Sequence, residues 1–137
     1  MEIDERIIKQ LADMFSAQNQ LAIEQDIDRR IEEISSYFGK IETIMNETDN
    51  CTRRTYKYSW EAGHRLIGEV LILIGERLQT LEEKVERANL ALRHKDAANK
   101  AIVHFKREYS KWASGCMSQL KGAYHQELLQ GISAYNF

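Results

Sequence analysis

The sequence predicts an all-α protein: an elongated antiparallel bundle of three long helices in up-down-up order, with a possible short extra helix at the N-terminal end. Three observations predict this fold. The 137 residues include no proline, apolar residues recur every three or four positions along most of the chain, and these positions are mirrored about two centres. Mirrored apolar stripes are typical of antiparallel helices that share a seam. The length fits a single domain, residues 1–137.

The first element is an acidic helix. Residues 1–50 contain 12 Asp or Glu and 5 Lys or Arg, a net charge of −7. The apolar stripe that begins at Ile7 falls out of phase with the stripe that begins at Ile27, and the phase changes through residues 16–20. Two structures fit this pattern: one kinked helix of more than 40 residues, or a short first helix that ends near Asn19.

The second helix is expected to cover about Arg53 to Arg93. Its apolar positions mirror those of the first helix about Asn50, so that Ile27 is paired with Ile74 and the paired residue numbers add to 101. Turn and capping residues are concentrated in residues 46–52, which is where this mirror is centred.

The third helix mirrors the second about Lys95, and the paired residue numbers add to 190, as in Ile74 with Cys116. Asp96 is expected to cap this helix, which runs to about Gln130 and stops at Gly131. Two glycine pairs also match: Gly75 with Gly115, and Gly68 with Gly122. Close packing of helices two and three is the favoured interpretation of these glycines, and a notch for a partner or ligand is the alternative.

The stretch from Leu66 to Ile74 is apolar on almost every side. One neighbouring helix on each side would leave part of it exposed, which predicts a homodimer or a higher homo-oligomer. The stretch is far shorter than the roughly 20 residues that span a bilayer, so no membrane association is expected. The acidic opening residues lack the pattern of a signal peptide, and the two cysteines suggest no disulfide framework, so we expect a cytoplasmic protein.

The first candidate binding site is the turn-end cluster, in which cations and aromatic residues occupy one end of the bundle. Its residues come from the start of helix two and from the far end of helix three. Helix two supplies its N-terminal N–H groups, and such a site can bind an anion or stack on rings. The alternative is that Tyr56 and Trp60 are core residues beside solvated cations. The cluster consists of Arg53, Arg54, Lys57, Tyr58, Lys121 and His125.

The second candidate is the α3 basic face, a stripe on the third helix with spacings of four, three and four residues. A stripe of this kind can follow the phosphates of a nucleic acid. It can equally face the acidic first helix, and this structural interpretation is favoured because the acids must lie beside something. The stripe consists of Lys100, His104, Arg107 and Lys111.

The sequence contains few residue patterns that are typical of catalytic or metal-binding sites. A helical di-metal site needs two Glu-x-x-His motifs, and only Glu61 with His64 has this spacing. No nucleophile–base grouping or glycine-rich phosphate loop is evident. We therefore expect no enzyme, no cofactor and no metal, but an oligomeric protein that binds another protein as an adaptor or inhibitor. Binding of a nucleic acid or nucleotide is the alternative.

Overall fold

The computed structural model describes residues 4–50, 56–120 and 123–137. Three long helices, α1 (Glu5–Asn50), α2 (Tyr56–Arg87) and α3 (Leu92–Gln119), are followed by a 3-10 turn (Ala123–His125) and a short helix α4 (Gln126–Ser133). The all-α bundle predicted from the sequence is confirmed. α1 is continuous through Asn19, so the short extra helix follows the three long helices instead of preceding them.

α1 is much longer than the helix it packs on. It contains 46 residues and α2 contains 32, which correspond to lengths of about 69 and 48 Å. The side chains of residues 5–23 are exposed apart from a half-exposed Gln20, and the buried core of α1 begins at Ile27. Residues 5–23 are called the N-terminal arm below.

α2 is the central helix and is in contact with α1, α3 and α4. The two buried polar side chains in the described residues are satisfied locally: the Thr48 hydroxyl donates to the Ile44 carbonyl at 2.7 Å, and His64 Nδ1 lies 2.8 Å from the Trp60 carbonyl oxygen. The core is otherwise apolar, as is typical of helices that bury one stripe each. The α2 residues in it are Ile67, Leu71, Ile74, Leu78, Leu81 and Val85.

The predicted α1–α2 register is wrong. Glu33 Oε1 lies 3.2 Å from Arg77 Nε, and Asp26 Oδ2 lies 3.7 Å from Lys84 Nζ. The numbers of each ion pair add to 110, not to 101. Thr48 also lies against Gly63, and their numbers add to 111. The true register is therefore displaced from the predicted one by about ten residues, close to three helical turns.

The predicted α2–α3 register is also wrong. The turn lies at residues 88–91, and Lys95 belongs to α3, where its N–H donates to the Ala91 carbonyl. Asp96 therefore does not cap the helix; Ala91 holds that position without a side-chain hydrogen bond. Cys116 Sγ lies 3.6 Å from the His64 carbonyl oxygen instead of facing Ile74. Because an apolar helical stripe repeats after about three turns, or roughly 11 residues, a displaced register matches almost equally well.

The C-terminal segment occupies the glycine notch on α2. α3 ends at Gln119 and not near Gln130, and Gly131 lies inside α4. A Cβ placed on Gly68 would lie 2.9 Å from Leu128 Cδ2, and one placed on Gly75 would lie 2.6 Å from Tyr135 Cγ. Gly115 faces open space, so it does not oppose Gly75, and Gly122 lies outside the described residues. Neither interpretation of the glycines holds as it was made: Gly68 and Gly75 do leave a notch, but the chain's own C-terminal segment fills it, not a partner or a ligand.

Aromatic contacts hold this segment in place. The buried Tyr109 hydroxyl donates to the Ile132 carbonyl at 2.7 Å, and the Tyr109 ring meets Phe137 edge-on at 5.0 Å between centroids. The Tyr135 and Phe137 rings are stacked. Burial raises the pKa of Tyr109, so the phenol remains a neutral donor to this bond.

The dense apolar stretch of α2 is largely covered within the chain. Ile67, Leu71 and Ile74 are buried in the bundle. The Ile72 side chain lies against Gly131 of α4, where an added Cβ would come within 2.7 Å of Ile72 Cδ1. Leu66 remains 49% exposed. The need for a second chain to cover this stretch is therefore smaller than the sequence suggested. In the described ranges, no helix is both long enough and apolar enough to cross a membrane.

Candidate interaction surfaces

The N-terminal arm presents the most concentrated apolar surface in the described part of the chain. Seven of the twelve strongly exposed large apolar side chains there belong to the arm. Single exposed apolar residues are normal on a protein surface, whereas a contiguous row marks an interaction site. The seven are Ile7 (50% exposed), Ile8 (53%), Leu11 (46%), Met14 (58%), Phe15 (62%), Leu21 (54%) and Ile23 (40%).

Most of this apolar face points away from the bundle, except that Ile23, at the base of the arm, lies towards α2. Ile8, Phe15 and Ala22 repeat every seven residues on one side of the arm, whereas Ile27 begins the stripe that is buried against the bundle. Ile27 follows Ala22 by five residues, a rotation of about 140° around the helix axis. The phase slip in the sequence is thus a change of face in one continuous helix. The end of α2 reaches only the base of the arm, near Ala22 and Ile23, and the rest of this face stays exposed.

A groove of about 580 Å³ lies at the base of the arm, between α1 and the end of α2. Its walls combine Ala22, Ile23 and Ile27 with Lys84 and Arg87. Asp26, which lines the same groove, is hydrogen-bonded to Arg29 and Arg30 and lies near Lys84. The hydrogen bond from Arg30 is the main cause that lowers the pKa of Asp26. The groove is therefore a charged junction between arm and bundle.

The α3 basic face is exposed and does not meet α1. All four of its side chains are exposed, and among the described residues none of them takes part in an ion pair. The acids of α1 are paired instead with Arg77 and Lys84 of α2 and with His94 of α3. The interpretation that the stripe neutralises α1 is therefore wrong, because the stripe lies on the side of α3 opposite its buried residues Ile102 and Tyr109.

A shallow groove of about 530 Å³ runs along this basic face. It is lined by three of the four stripe residues together with Asp96, Asn99 and Val103, whose side chain is 49% exposed. Lys111 lies beyond the groove, with its ammonium group 5.7 Å from the centroid of the Trp112 ring. The face offers cations and one apolar contact to a ligand.

The turn-end cluster is only partly described. Arg53, Arg54 and Lys121 lie outside the described residues, and Lys57 and Tyr58 are described as backbone in α2 only. His125 is half-buried in the 3-10 turn. The Trp60 indole N–H donates to Gln119 Oε1 at 2.8 Å. This bond brings the start of α2 next to the end of α3, as the sequence predicted.

No family model, curated protein or solved structure matches this chain. The surfaces described above, and the chemistry of their residues, are therefore the basis for assigning a function.

Reactive groups in the described residues are held in structural roles. His64 is buried against Trp60, with ring centroids 4.6 Å apart, while Glu61 is exposed. Burial raises the pKa of the Cys116 thiol to about 11, which keeps it neutral and weakly nucleophilic near pH 7. Among the described residues, no group of three or more His, Cys, Asp or Glu side chains is arranged to hold a metal ion.

The exposed surface of the arm was not predicted from the sequence. Its signal is the change of phase between Met14 and Ile27, which a kink or a helix break would also produce. The hydrophobic pattern of the arm also lacks a mirrored counterpart in α2, and that absence is the feature which distinguishes a free helix from a paired one.

Proposed function

We propose that this chain is a non-enzymatic binding protein that acts by associating with other protein chains through its N-terminal arm. The observation that carries the proposal is the exposed apolar row of the arm, most of which faces away from the bundle. Regular apolar spacing on a free helix is the feature by which helices recognise one another.

The free energy that would be gained by burying the exposed row supports this proposal. Fully burying one large apolar side chain is worth roughly 1.5–3 kcal/mol, and the seven side chains of the arm are each about half exposed. Covering them recovers on the order of 5–10 kcal/mol before the costs of association are subtracted. A helix of this length with no tertiary contacts is marginal in water, so a partner would also stabilise the arm itself.

The proposal extends to oligomeric state and location. Self-association is its simplest form, because every copy of the chain carries the same free face. We place the protein in the cytoplasm, where a buried free thiol such as Cys116 stays reduced.

Two leucine substitutions test the proposed role of the arm. Leu11 is 46% exposed in the arm and Leu66 is 49% exposed in α2, so Leu11→Lys and Leu66→Lys are matched in residue type and exposure. Wild type and both variants are immobilised, and proteins that they retain from an extract of the source cells are identified and re-tested in purified form, together with the chain itself.

We expect wild type and Leu66→Lys to retain the same protein with similar affinity. Leu11→Lys should bind that protein on the order of 100-fold more weakly, because a charge would be buried in an apolar seam. Equal retention by all three proteins, with no self-association, would show that the arm is not an association surface.

Phosphate binding through the α3 basic face is the second candidate, favoured by four exposed side chains that lack ion pairs among the described residues. Fluorescence anisotropy with labelled RNA, DNA and nucleotides tests it. Saturable binding at physiological salt that falls in Arg107→Ala would support this function, since each lost phosphate contact also reduces the salt dependence. Binding seen only at low salt would reject it.

A further inference from the structure

We propose that the partner of the N-terminal arm is a second copy of this chain, whose arm lies antiparallel on the first. This inference rests on the proposed function, since it takes the arm to be an association surface. It adds the identity of the partner, the direction of the two helices and the residues that set their register.

A seam with alternating spacings of four and three residues runs along the exposed side of α1, from a residue just before the helix to one just beyond the arm, and Ile7, Met14 and Leu21 flank it on one side. This is the spacing by which two helices interlock side chains along their length. The seam begins and ends with charges of opposite sign and extends over about 38 Å of α1. Its residues, in order, are Asp4, Ile8, Leu11, Phe15, Gln18, Ala22, Gln25 and Arg29.

The end charges favour an antiparallel pair. In that arrangement Asp4 of one copy lies opposite Arg29 of the other, at both ends of the seam. A parallel pair would instead place Asp4 beside Asp4 and Arg29 beside Arg29, and like charges facing each other are destabilising.

Arg29 is available for a second partner. Its side chain is 75% exposed, and its ion pair among the residues that the structure describes is with Asp26 on its own helix. Asp26 also accepts a hydrogen bond from Arg30 at 3.0 Å and lies 3.7 Å from Lys84. Asp26 therefore keeps two other cations if Arg29 turns towards an incoming carboxylate.

Side-chain size gives the same register. When Asp4 faces Arg29, Leu11 faces Ala22 and Phe15 faces Gln18, so a large side chain meets a smaller one at these two layers. Such alternation fills the space between two helices without overlap. The bundles do not obstruct this pairing, because the seam lies about 140° around α1 from the buried stripe that begins at Ile27.

The interface is modest in size. Six half-exposed apolar side chains lie in the seam or beside it, and they would bury on the order of 500 Å² per chain, below the roughly 800 Å² per partner of a standard stable interface. We therefore expect a reversible dimer with a dissociation constant in the micromolar range.

Sedimentation velocity of the full chain over a range of concentrations tests the dimer. We expect a monomer–dimer equilibrium in wild type, weakened roughly ten-fold by Asp4→Arg or by Arg29→Asp, because each dimer loses two exposed pairs. The double variant should restore most of the lost affinity, since both pairs re-form with their signs exchanged. The inference would be overturned if wild type stayed monomeric at about 0.1 mM, which is 100-fold above a micromolar dissociation constant. It would also be overturned if the double variant dimerised more weakly than both single variants.

Cysteine crosslinking tests direction and register in a Cys51→Ser background. Leu11→Cys and Ala22→Cys are made in separate chains that carry different tags, and the chains are mixed under mild oxidation. The proposed register predicts disulfides between the two variants and few within either variant alone. Disulfides of Leu11→Cys with itself would indicate a parallel pair, and the absence of the mixed disulfide would reject the register; either result overturns the inference.

The two proposals fail in distinguishable ways. If wild type is monomeric and the arm still retains a different purified protein in a Leu11-dependent manner, the second-copy inference fails and the proposed function stands. If the arm substitution changes neither self-association nor retention, both fail. At low concentration, unfolding of the bundle should be unchanged in the Leu11 and Ala22 variants, because the exposed arm side chains take no part in the core. The Asp4 and Arg29 variants lose one local contact each and should still unfold in a single cooperative transition. This control excludes misfolding as the cause.

Discussion

Ile34→Ala is expected to destabilise the folded protein by about 2–5 kcal/mol, whereas Ile7→Ala should change its stability by less than about 0.5 kcal/mol in dilute solution. Both residues are isoleucines of α1. Ile34 is fully buried in the bundle and Ile7 is 50% exposed in the arm. Removing three carbons from a close-packed core leaves a cavity, while the same change in the free arm leaves none.

Urea denaturation followed by circular dichroism measures both differences. The experiment needs protein concentrations below the proposed self-association range, where the arm has no partner. A cost for Ile7→Ala comparable with that of Ile34→Ala would mean that the arm folds back onto the bundle, which contradicts the division of α1 into an arm and a bundle part.

Gly75→Ala is expected to destabilise the protein by about 1–3 kcal/mol, because the added methyl group would overlap the Tyr135 ring. That ring cannot move alone, since it is stacked on Phe137, which in turn packs against Tyr109. The substitution should therefore loosen the C-terminal segment as a unit and increase the rate at which proteases cut it.

Gly115→Ala is the matched control and should have the opposite effect, an increase in the stability of the folded protein. A Cβ at Gly115 meets no atom within 4 Å, and alanine in a helix interior is more favourable than glycine by about 0.5–1 kcal/mol. Thermal unfolding of the two variants side by side separates the effects of packing from helix propensity. Stabilisation by Gly75→Ala would show that the C-terminal segment does not occupy the glycine notch.

Local patterns predicted the fold class correctly, and the register incorrectly. Three-four spacing identifies an apolar face without long-range information, so the three long helices could be recognised. It does not say which turn of one helix faces which turn of the next. The actual pairing is determined by the end of α2 at Arg87 and by contacts such as Glu33 with Arg77, which periodicity does not encode.

The candidate surfaces were likewise predictable in their local features and not in their long-range contacts. Lys100, His104, Arg107 and Lys111 share one face of α3, as their spacing predicted, because helical spacing is a local property. Their exposure was not predictable, since it depends on where α1 lies. The role of Gly68 and Gly75 was also set by a distant segment: only the structure brings Leu128 and Tyr135 to them.

Hydrogen exchange of the wild-type chain at two protein concentrations is the most direct test of whether two copies of the chain associate through the arm. We expect amides of residues 5–23 to exchange rapidly in dilute solution and to become protected at concentrations above the micromolar range, while amides around Ile34 and Leu78 stay protected at both. Arm amides that exchange equally at both concentrations, whether fast or slow, would contradict association through the arm.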